Sequence, residues 1–380
     1  MKPIALRHIP GVLALLLSSS FVFLAALEMS LRLFAPQIQE IHPHGLWRQS
    51  PTRGFGLVPS FVGQHVFDDF QVKIAISAHG LRDRLYGPKS PNTFRILTLG
   101  DSFTFGFGVE ALDAYPKRLE SILRVRTAVP AFEVINGGAS GYATNQELVF
   151  LHEEGLSFQP DLVLIGFFGF NDFRDNQLPM DRFTVSDGYL YDRDGYEEVL
   201  KAKQRGLDLP GKGYLWAKSH AYRFLAQRYH QLLDNRGASP ESLPVAPAVS
   251  QRPKDATTGR QGPDDEQFDA TTALITAIAD TARSHTARVA LVLIPDFKDA
   301  QNTQSVWEPT WKRMEAFCET RQIPVINLSG VFRAAHQAGR TPELWYQGNQ
   351  HWRVAGHQLA AETIFRELVD LGLIPGGANR

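Results

Sequence analysis

The sequence predicts an α/β protein, a three-layer sandwich in which a parallel sheet of about five strands carries helices on both faces, led by one N-terminal transmembrane helix. Three observations predict it. Five short apolar runs rich in β-branched residues recur from residue 94 onward, segments with helical spacing separate them, and an uncharged apolar stretch opens the chain. Strand–helix alternation is the pattern of a parallel sheet, because each crossover lays a helix on one face. Composition agrees: 43% of the 380 residues are hydrophobic, enough to bury a substantial core. Lys and Arg number 39 against 40 Asp and Glu, and a net charge of −1 provides no basic face for nucleic acid. The single cysteine, Cys318, excludes a disulfide or a cysteine-based metal site within the chain.

The opening run, Ile9 to Leu27, has no charge and follows Lys2, Arg7 and His8. It approaches the ~20 residues that cross a hydrocarbon core. A cleaved signal peptide also starts with a basic region, but its apolar part usually holds only ~7–15 residues and ends in an Ala-x-Ala-like site. No such site precedes Glu28. A buried soluble helix is the third reading. An uncleaved anchor fits the length best. Lys2 and Arg7 then keep the N-terminus in the cytoplasm, which places the remainder of the chain outside.

Residues 36–93 are rich in Gly, Pro, Phe and His, and the alternation at Gln71–Ser77 predicts a hairpin-like collar between membrane and main domain. The five strands are predicted at Arg95–Leu99, Phe132–Ile135, Asp161–Ile165, Arg288–Ile294 and Pro324–Leu328. Helices are predicted at Tyr115–Leu123, after Thr144, and over Asp265–Ser284, Trp307–Thr320 and Val354–Leu371. Thr144 with Glu147 three residues on reads as a capping box. Leu359, Ile364 and Leu368 share one face of the last helix. Residues 176–263 break the rhythm: Tyr189, Tyr191 and Tyr196 come first, then a helix around Ala221–Leu233. Asn235–Asp264 follows, with a Pro/Ser/Gly/Ala-rich composition expected of a mobile loop. The expected organisation is an anchor at 1–35, a collar at 36–93 and a main domain at 94–375 with an insertion at 176–263.

Ligands of a parallel sheet bind at the carboxyl ends of its strands. The first strand runs there into Gly100-Asp101-Ser102. Alone this is a common turn sequence, and Thr104 stands where a Gly-x-Ser-x-Gly elbow needs glycine. The second strand enters Asn136-Gly137-Gly138-Ala139-Ser140-Gly141, a turn dense enough in glycine for backbone N–H groups to approach a substrate. It would serve equally as a tight connection. The third strand ends in Gly169-Phe170-Asn171-Asp172. Asn171 can aim an amide at a developing oxyanion or cap a turn. His351 lies just before the final helix, with His357 beyond, where a lone histidine would equally be structural. Their order changes the reading, because all four residue types fall on the productive edge.

In these four blocks the chain resembles the SGNH, or GDSL-type, hydrolases. The matching residues are Gly100-Asp101-Ser102, Gly141 within Asn136–Gly141, Gly169-Phe170-Asn171-Asp172, and His351. The longer stretches Gly100–Gly106 and Ile135–Gln146, and the exit segment Glu28–Phe34, resemble the membrane-anchored bacterial branch. The likeness covers residues 90–175 and 286–370 well, the collar loosely and the insertion hardly at all. It implies a flavodoxin-like SGNH hydrolase fold and a serine esterase. Ser102 would be the nucleophile and His351 the general base. The backbone N–H groups of Ser102 and Gly141 and the amide of Asn171 would hold the oxyanion. No cofactor or metal is implied. The implied partners are an ester-bearing small molecule or glycan, such as an O-acyl ester of the cell envelope, and the lipid bilayer through residues 9–27. The implied location is the inner membrane, single-pass, with the catalytic domain on the periplasmic side. A sugar hydroxyl accepting in place of water would make an O-acyltransferase of the same site. Loss of turnover would leave a carbohydrate-binding protein.

One departure stands out. The family places an aspartate two or three residues before the histidine, where this chain has Asn349 and Gly348. Replacing the orienting Asp by Asn in the serine-protease template costs roughly 10⁴ in kcat. Three arrangements remain open: a Ser–His dyad oriented by a backbone carbonyl or by Asn349, an acid supplied by Asp296 or Asp299, or a slow or non-catalytic binder.

Overall fold

A computed structural model describes residues 9–35, 43–67, 69–127, 131–186, 188–193, 215, 219–234, 262–301, 307–346 and 349–375. Lys2, Arg7, His8, Tyr196, Gln347, Gly348 and nearly all of the Asn235–Asp264 stretch lie outside the described residues. The chain forms two compact units, Met1–Glu40 with Asp194–Val245, and Ile41–Arg193 with Ala246–Arg380.

In the first unit, helix α1 spans Ile9–Phe34. Its Ala14–Phe34 portion is almost wholly exposed and, among the described residues, is the one segment long and apolar enough to cross a membrane. Near its end, the Glu28 carboxylate accepts hydrogen bonds from the Ser219 hydroxyl at 2.9 Å and from the backbone N–H groups of His220 at 3.1 Å and Ala221 at 2.7 Å. These satisfy donors that a helix start leaves without intrahelical partners, and a helix follows over His220–Asp234.

The second unit begins with two antiparallel hairpins. Strand β1, Trp47–Ser50, pairs with β2, Gly54–Leu57, and β3, Val62–Phe67, pairs with β4, Phe70–Ala75. The alternating run at Gln71–Ser77 is therefore a strand as expected. Its apolar face does not stay apart: Phe55, Val72 and Ile74 join Leu97, Phe105 and Ile135 in one buried cluster.

Five parallel strands follow in chain order: β5 Thr93–Gly100, β6 Ala131–Asn136, β7 Leu162–Phe167, β10 Arg288–Leu293 and β11 Val325–Asn327. A small hairpin of β8, Phe183–Ser186, and β9, Tyr189–Asp192, lies between the third and fourth, and carries Tyr189 and Tyr191. The spatial order is β11-β10-β7-β5-β6. The chain thus steps from β5 to one side and then crosses to the other, and the divergence leaves a crevice at the carboxyl end of β5.

Every residue of β7 is buried, as expected of a strand covered on both faces. Alternate residues divide between two cores. Leu97, Leu99, Val163, Ile165, Val289 and Leu291 face one, while Ile96, Val134, Leu162, Leu164, Ala290 and Val292 face the other. Helices α3, Tyr115–Arg126, and Val354–Asp370 pack on the second core. Helices α4, Thr144–Glu153, and Asp265–Ser284 close the first. The expected three-layer α/β sandwich is present.

One local expectation needs correction. The residue in the capping position before α4 is Ala143, not Thr144, and the Gln146 side chain reaches back to accept the Ala143 N–H at 3.1 Å. Thr144 and Glu147 are instead turned inward, with the Thr144 hydroxyl and both Glu147 oxygens buried and without a hydrogen-bond partner in the protein.

Candidate active site

Ser102 opens a one-turn helix, α2, Ser102–Phe105, directly after β5. The Asp101 carboxylate caps it by accepting the Phe103 N–H at 2.9 Å. Close approach from the next strand supports the turn: a Cβ on Gly138 would lie 2.5 Å from the Phe105 nitrogen, so only glycine fits. Gly141 has φ +84°, a left-handed conformation that other residues adopt at a cost. Asn171 sits in α5, Gly169–Asp175, which follows β7. Because β6, β5 and β7 are adjacent, Gly141, Ser102 and Asn171 come from neighbouring strand ends.

His351 arrives from more than two hundred residues away. Its Nε2 lies 2.8 Å from Ser102 Oγ. Its Nδ1 lies 3.1 Å from the Asn349 carbonyl oxygen and 3.2 Å from Asn349 Oδ1. Both neighbours are acceptors, so the ring proton belongs on Nδ1, and Nε2 offers its lone pair to the Ser102 hydroxyl. Asn349 Oδ1 also accepts the His351 backbone N–H at 2.9 Å. Gln350, between them, has φ +58°, and this left-handed step folds Asn349 back beneath the ring. The turn is clamped by hydrogen bonds from Gln350 N–H to Tyr346 O and from Tyr346 N–H to His351 O, and by a bridge between Trp345 and Trp352.

Asp299 is committed elsewhere. Its carboxylate accepts from Trp311 Nε1 at 3.3 Å and Ser329 Oγ at 3.5 Å. Asp296 accepts the Lys298 backbone N–H at 3.1 Å. Of the arrangements left open by the sequence, the geometry has the Asn349 oxygens at Nδ1. His357 is a core residue whose Nδ1 accepts the Tyr115 N–H, and burial pushes its pKa down to about 3.

Two aromatic residues escaped sequence reasoning. Phe107 stacks on the His351 ring with centroids 4.4 Å apart, and Phe103 lies 5.1 Å away. Both rings are buried and pack against the imidazole. Both fall in the block that follows Ser102, yet no spacing rule marks them as partners of a distant histidine.

Behind Ser102 lie three fully buried carboxyls, Asp101, Glu147 and Asp172. Burial raises the pKa of each, and their mutual repulsion adds to it for Glu147 and Asp172. The Asn171 side chain hydrogen-bonds the Asp101 carboxylate, which opposes the rise there. A raised carboxyl pKa means that the folded state binds protons more tightly than the unfolded one. Its stabilising effect is therefore complete below the ordinary carboxylate range, about 4, and is lost as pH rises toward the folded-state pKa. Denaturant titrations at pH 5 and pH 8 should show wild type losing stability with pH by up to about 1.4 kcal/mol per pH unit per group. In Glu147→Gln that slope should be shallower. An equal slope would mean that Glu147 is ionised at both pH values.

Residues 98–258 match the family model of the GDSL-like lipase/acylhydrolase family. Over that stretch, somewhat under half of the chain, the sequence is similar to that family. The matched stretch is an ester-hydrolase domain, and the five-stranded parallel sheet with flanking helices is consistent with the SGNH fold. No curated protein sequence matches it. Among solved structures it is similar to a protein classed with the lipolytic G-D-S-L family from Desulfitobacterium hafniense DCB-2, at 14% identity over 72% of this chain and 99% of that one, with a TM-score of 0.39. It is also similar to a catalytic mutant of Axe2, an acetylxylan esterase from Geobacillus stearothermophilus, at 14% identity over 72% and 94% of the two chains and a TM-score of 0.42. A two-domain esterase active on acetylated mannans shares 14% identity over 73% of this chain and 50% of its own, with a TM-score of 0.41.

Proposed function

We propose that this GDSL-like chain is a membrane-tethered serine esterase acting on an O-acyl ester of a cell-envelope glycan. The observation that carries the catalytic part is the Ser102–His351 pair at 2.8 Å, with the ring proton directed to Asn349. Ser102 Oγ attacks the acyl carbonyl while His351 Nε2 takes its proton. The tetrahedral oxyanion is received by the Ser102 and Gly141 N–H groups and the Asn171 amide. Collapse expels the alcohol, which takes the proton back from His351. Water then attacks the acyl-serine with the same base and frees Ser102. The test is time-dependent labelling by a fluorophosphonate, expected in wild type and lost in Ser102→Ala. A chain that resists labelling is a binder rather than an esterase.

Asn349 accepts the Nδ1 proton but carries no charge to balance the imidazolium formed during attack. Asn349→Asp should supply it, raising turnover of a small acyl ester ~10-fold or more and moving the acid limb of the pH–rate profile upward. The substitution also removes the buried Asn349 Nδ2, which has no hydrogen-bond partner in the protein. An unchanged limb and rate in a folded variant would separate residue 349 from the orientation of His351.

The tether rests on the exposed apolar helix and on the basic residues ahead of it. A C-terminal reporter should be active outside the cytoplasm and sediment with membranes. Release of a soluble chain shortened by about thirty residues would identify a cleaved signal peptide instead.

A further inference from the structure

A cleft of about 630 Å³ opens beside the loop that presents His351. Its walls are formed by Asp69 in the β3–β4 turn, Arg118 on α3, Glu343, Tyr346, Arg353 and Gln358. Tyr346 and Arg353, which line the cleft, flank His351 in the chain. Behind the lining, a row of packed rings links Tyr346 to His351 through the buried Phe70 and Phe107. The Tyr346 ring packs 5.3 Å from Phe70, Phe70 packs 5.6 Å from Phe107, and Phe107 stacks 4.4 Å from His351. The Tyr346 hydroxyl donates to the Gly108 carbonyl at 2.8 Å, which fixes this wall to the segment after Ser102.

The lining has a definite chemistry. Two guanidinium groups, Arg118 and Arg353, are balanced by two carboxylates, Asp69 and Glu343, so the cleft has no net charge to attract a polyanion or a polycation. Arg353 is held at 3.6 Å from Asp69 while its Nε donates to the Trp345 carbonyl, and its guanidinium lies over the Tyr346 ring. Planar donors and acceptors are thus preset side by side, at little further entropic cost on binding. Val354, 38% exposed, and Ala355 add an apolar strip to the same cleft. A sugar ring matches both features, with hydroxyl pairs at its rim and C–H groups on its faces. The volume falls within the roughly 300–1,000 Å³ typical of organic-ligand sites.

We propose that this cleft binds the uncharged sugar chain of the ester substrate and presents its acyl group to Ser102. The proposal rests on the esterase reading of the Ser102–His351 site. It is tested with the full chain in detergent on two substrates, an O-acetylated cello-oligosaccharide and 4-nitrophenyl acetate. Val354→Trp, which fills the cleft, and the milder Gln358→Ala should lower the ratio of kcat/KM on the oligosaccharide to that on the small ester. The expected fall is at least tenfold for Val354→Trp, carried by KM. Independently, Ser102→Ala should bind the deacetylated cello-oligosaccharide in calorimetry, and Ser102→Ala with Val354→Trp should not. A ratio unchanged in both variants overturns the proposal. So does binding that survives the cleft-filling substitution, or tighter binding of a galacturonate oligomer than of the uncharged one. Failure of fluorophosphonate labelling would remove the esterase reading, while calorimetry would still decide whether the cleft holds a sugar.

Discussion

Replacing Ser102 by alanine is expected to lower kcat on a small acyl ester by roughly 10⁴-fold or more, with thermal unfolding unchanged. The substitution removes only the oxygen proposed as the nucleophile. Alanine keeps the backbone N–H assigned to the oxyanion, and the cap of α2 is supplied by Asp101 rather than by the serine hydroxyl. Residual turnover would come from the remaining oxyanion donors and from substrate binding. His351→Ala should cost a comparable factor, and the double variant little more, because nucleophile and base act in one step. Steady-state kinetics with circular dichroism on each variant checks this. A loss below tenfold in Ser102→Ala would point to another nucleophile. Additive losses would mean that His351 and Ser102 do not work as the pair their 2.8 Å contact makes them.

Asn171→Ala should lower kcat by about 10²–10³-fold with KM little changed, the effect of removing one preorganised oxyanion donor, about 2.7–4 kcal/mol. Some stability should be lost as well, because the buried Asp101 carboxylate gives up its hydrogen bond from the Asn171 amide, so the unfolding midpoint is read beside the rate. For the same reason the pH profile should be recorded. A change confined to KM would make Asn171 a ground-state contact. A falling unfolding midpoint with a modest rate effect would make it a positioning residue for Asp101 and the start of α2.

Much of the architecture was legible because it is periodic. All five strands lie where β-branched runs place them, and Asp265–Ser284 forms a helix over the range its spacing predicts. The four candidate residues were singled out through their order, three of them after successive strands whose carboxyl ends a parallel sheet sends to one edge. Local chemistry misled where burial outweighs it. Thr144 and Glu147 have capping-box spacing, yet packing turns both inward and leaves the cap to Gln146. The hairpins, expected as a collar between membrane and main domain, bury Phe55, Val72 and Ile74 in one core cluster with the sheet.

By itself, then, the sequence determined the fold class, the apolar N-terminal helix, and the residue types that reach the productive edge. Each follows from spacing over at most a few turns or strands. The tertiary structure alone decided which strands are neighbours, and hence that β5 lies at the crevice. It also decided how His351 is oriented. A histidine with asparagine in place of the family's aspartate is ambiguous along the chain. A left-handed Gln350 brings both Asn349 oxygens to Nδ1, and Phe107 closes over the ring. These contacts join residues separated by up to 249 positions, a distance across which no local propensity acts and only the packing of the sheet and its helices selects partners.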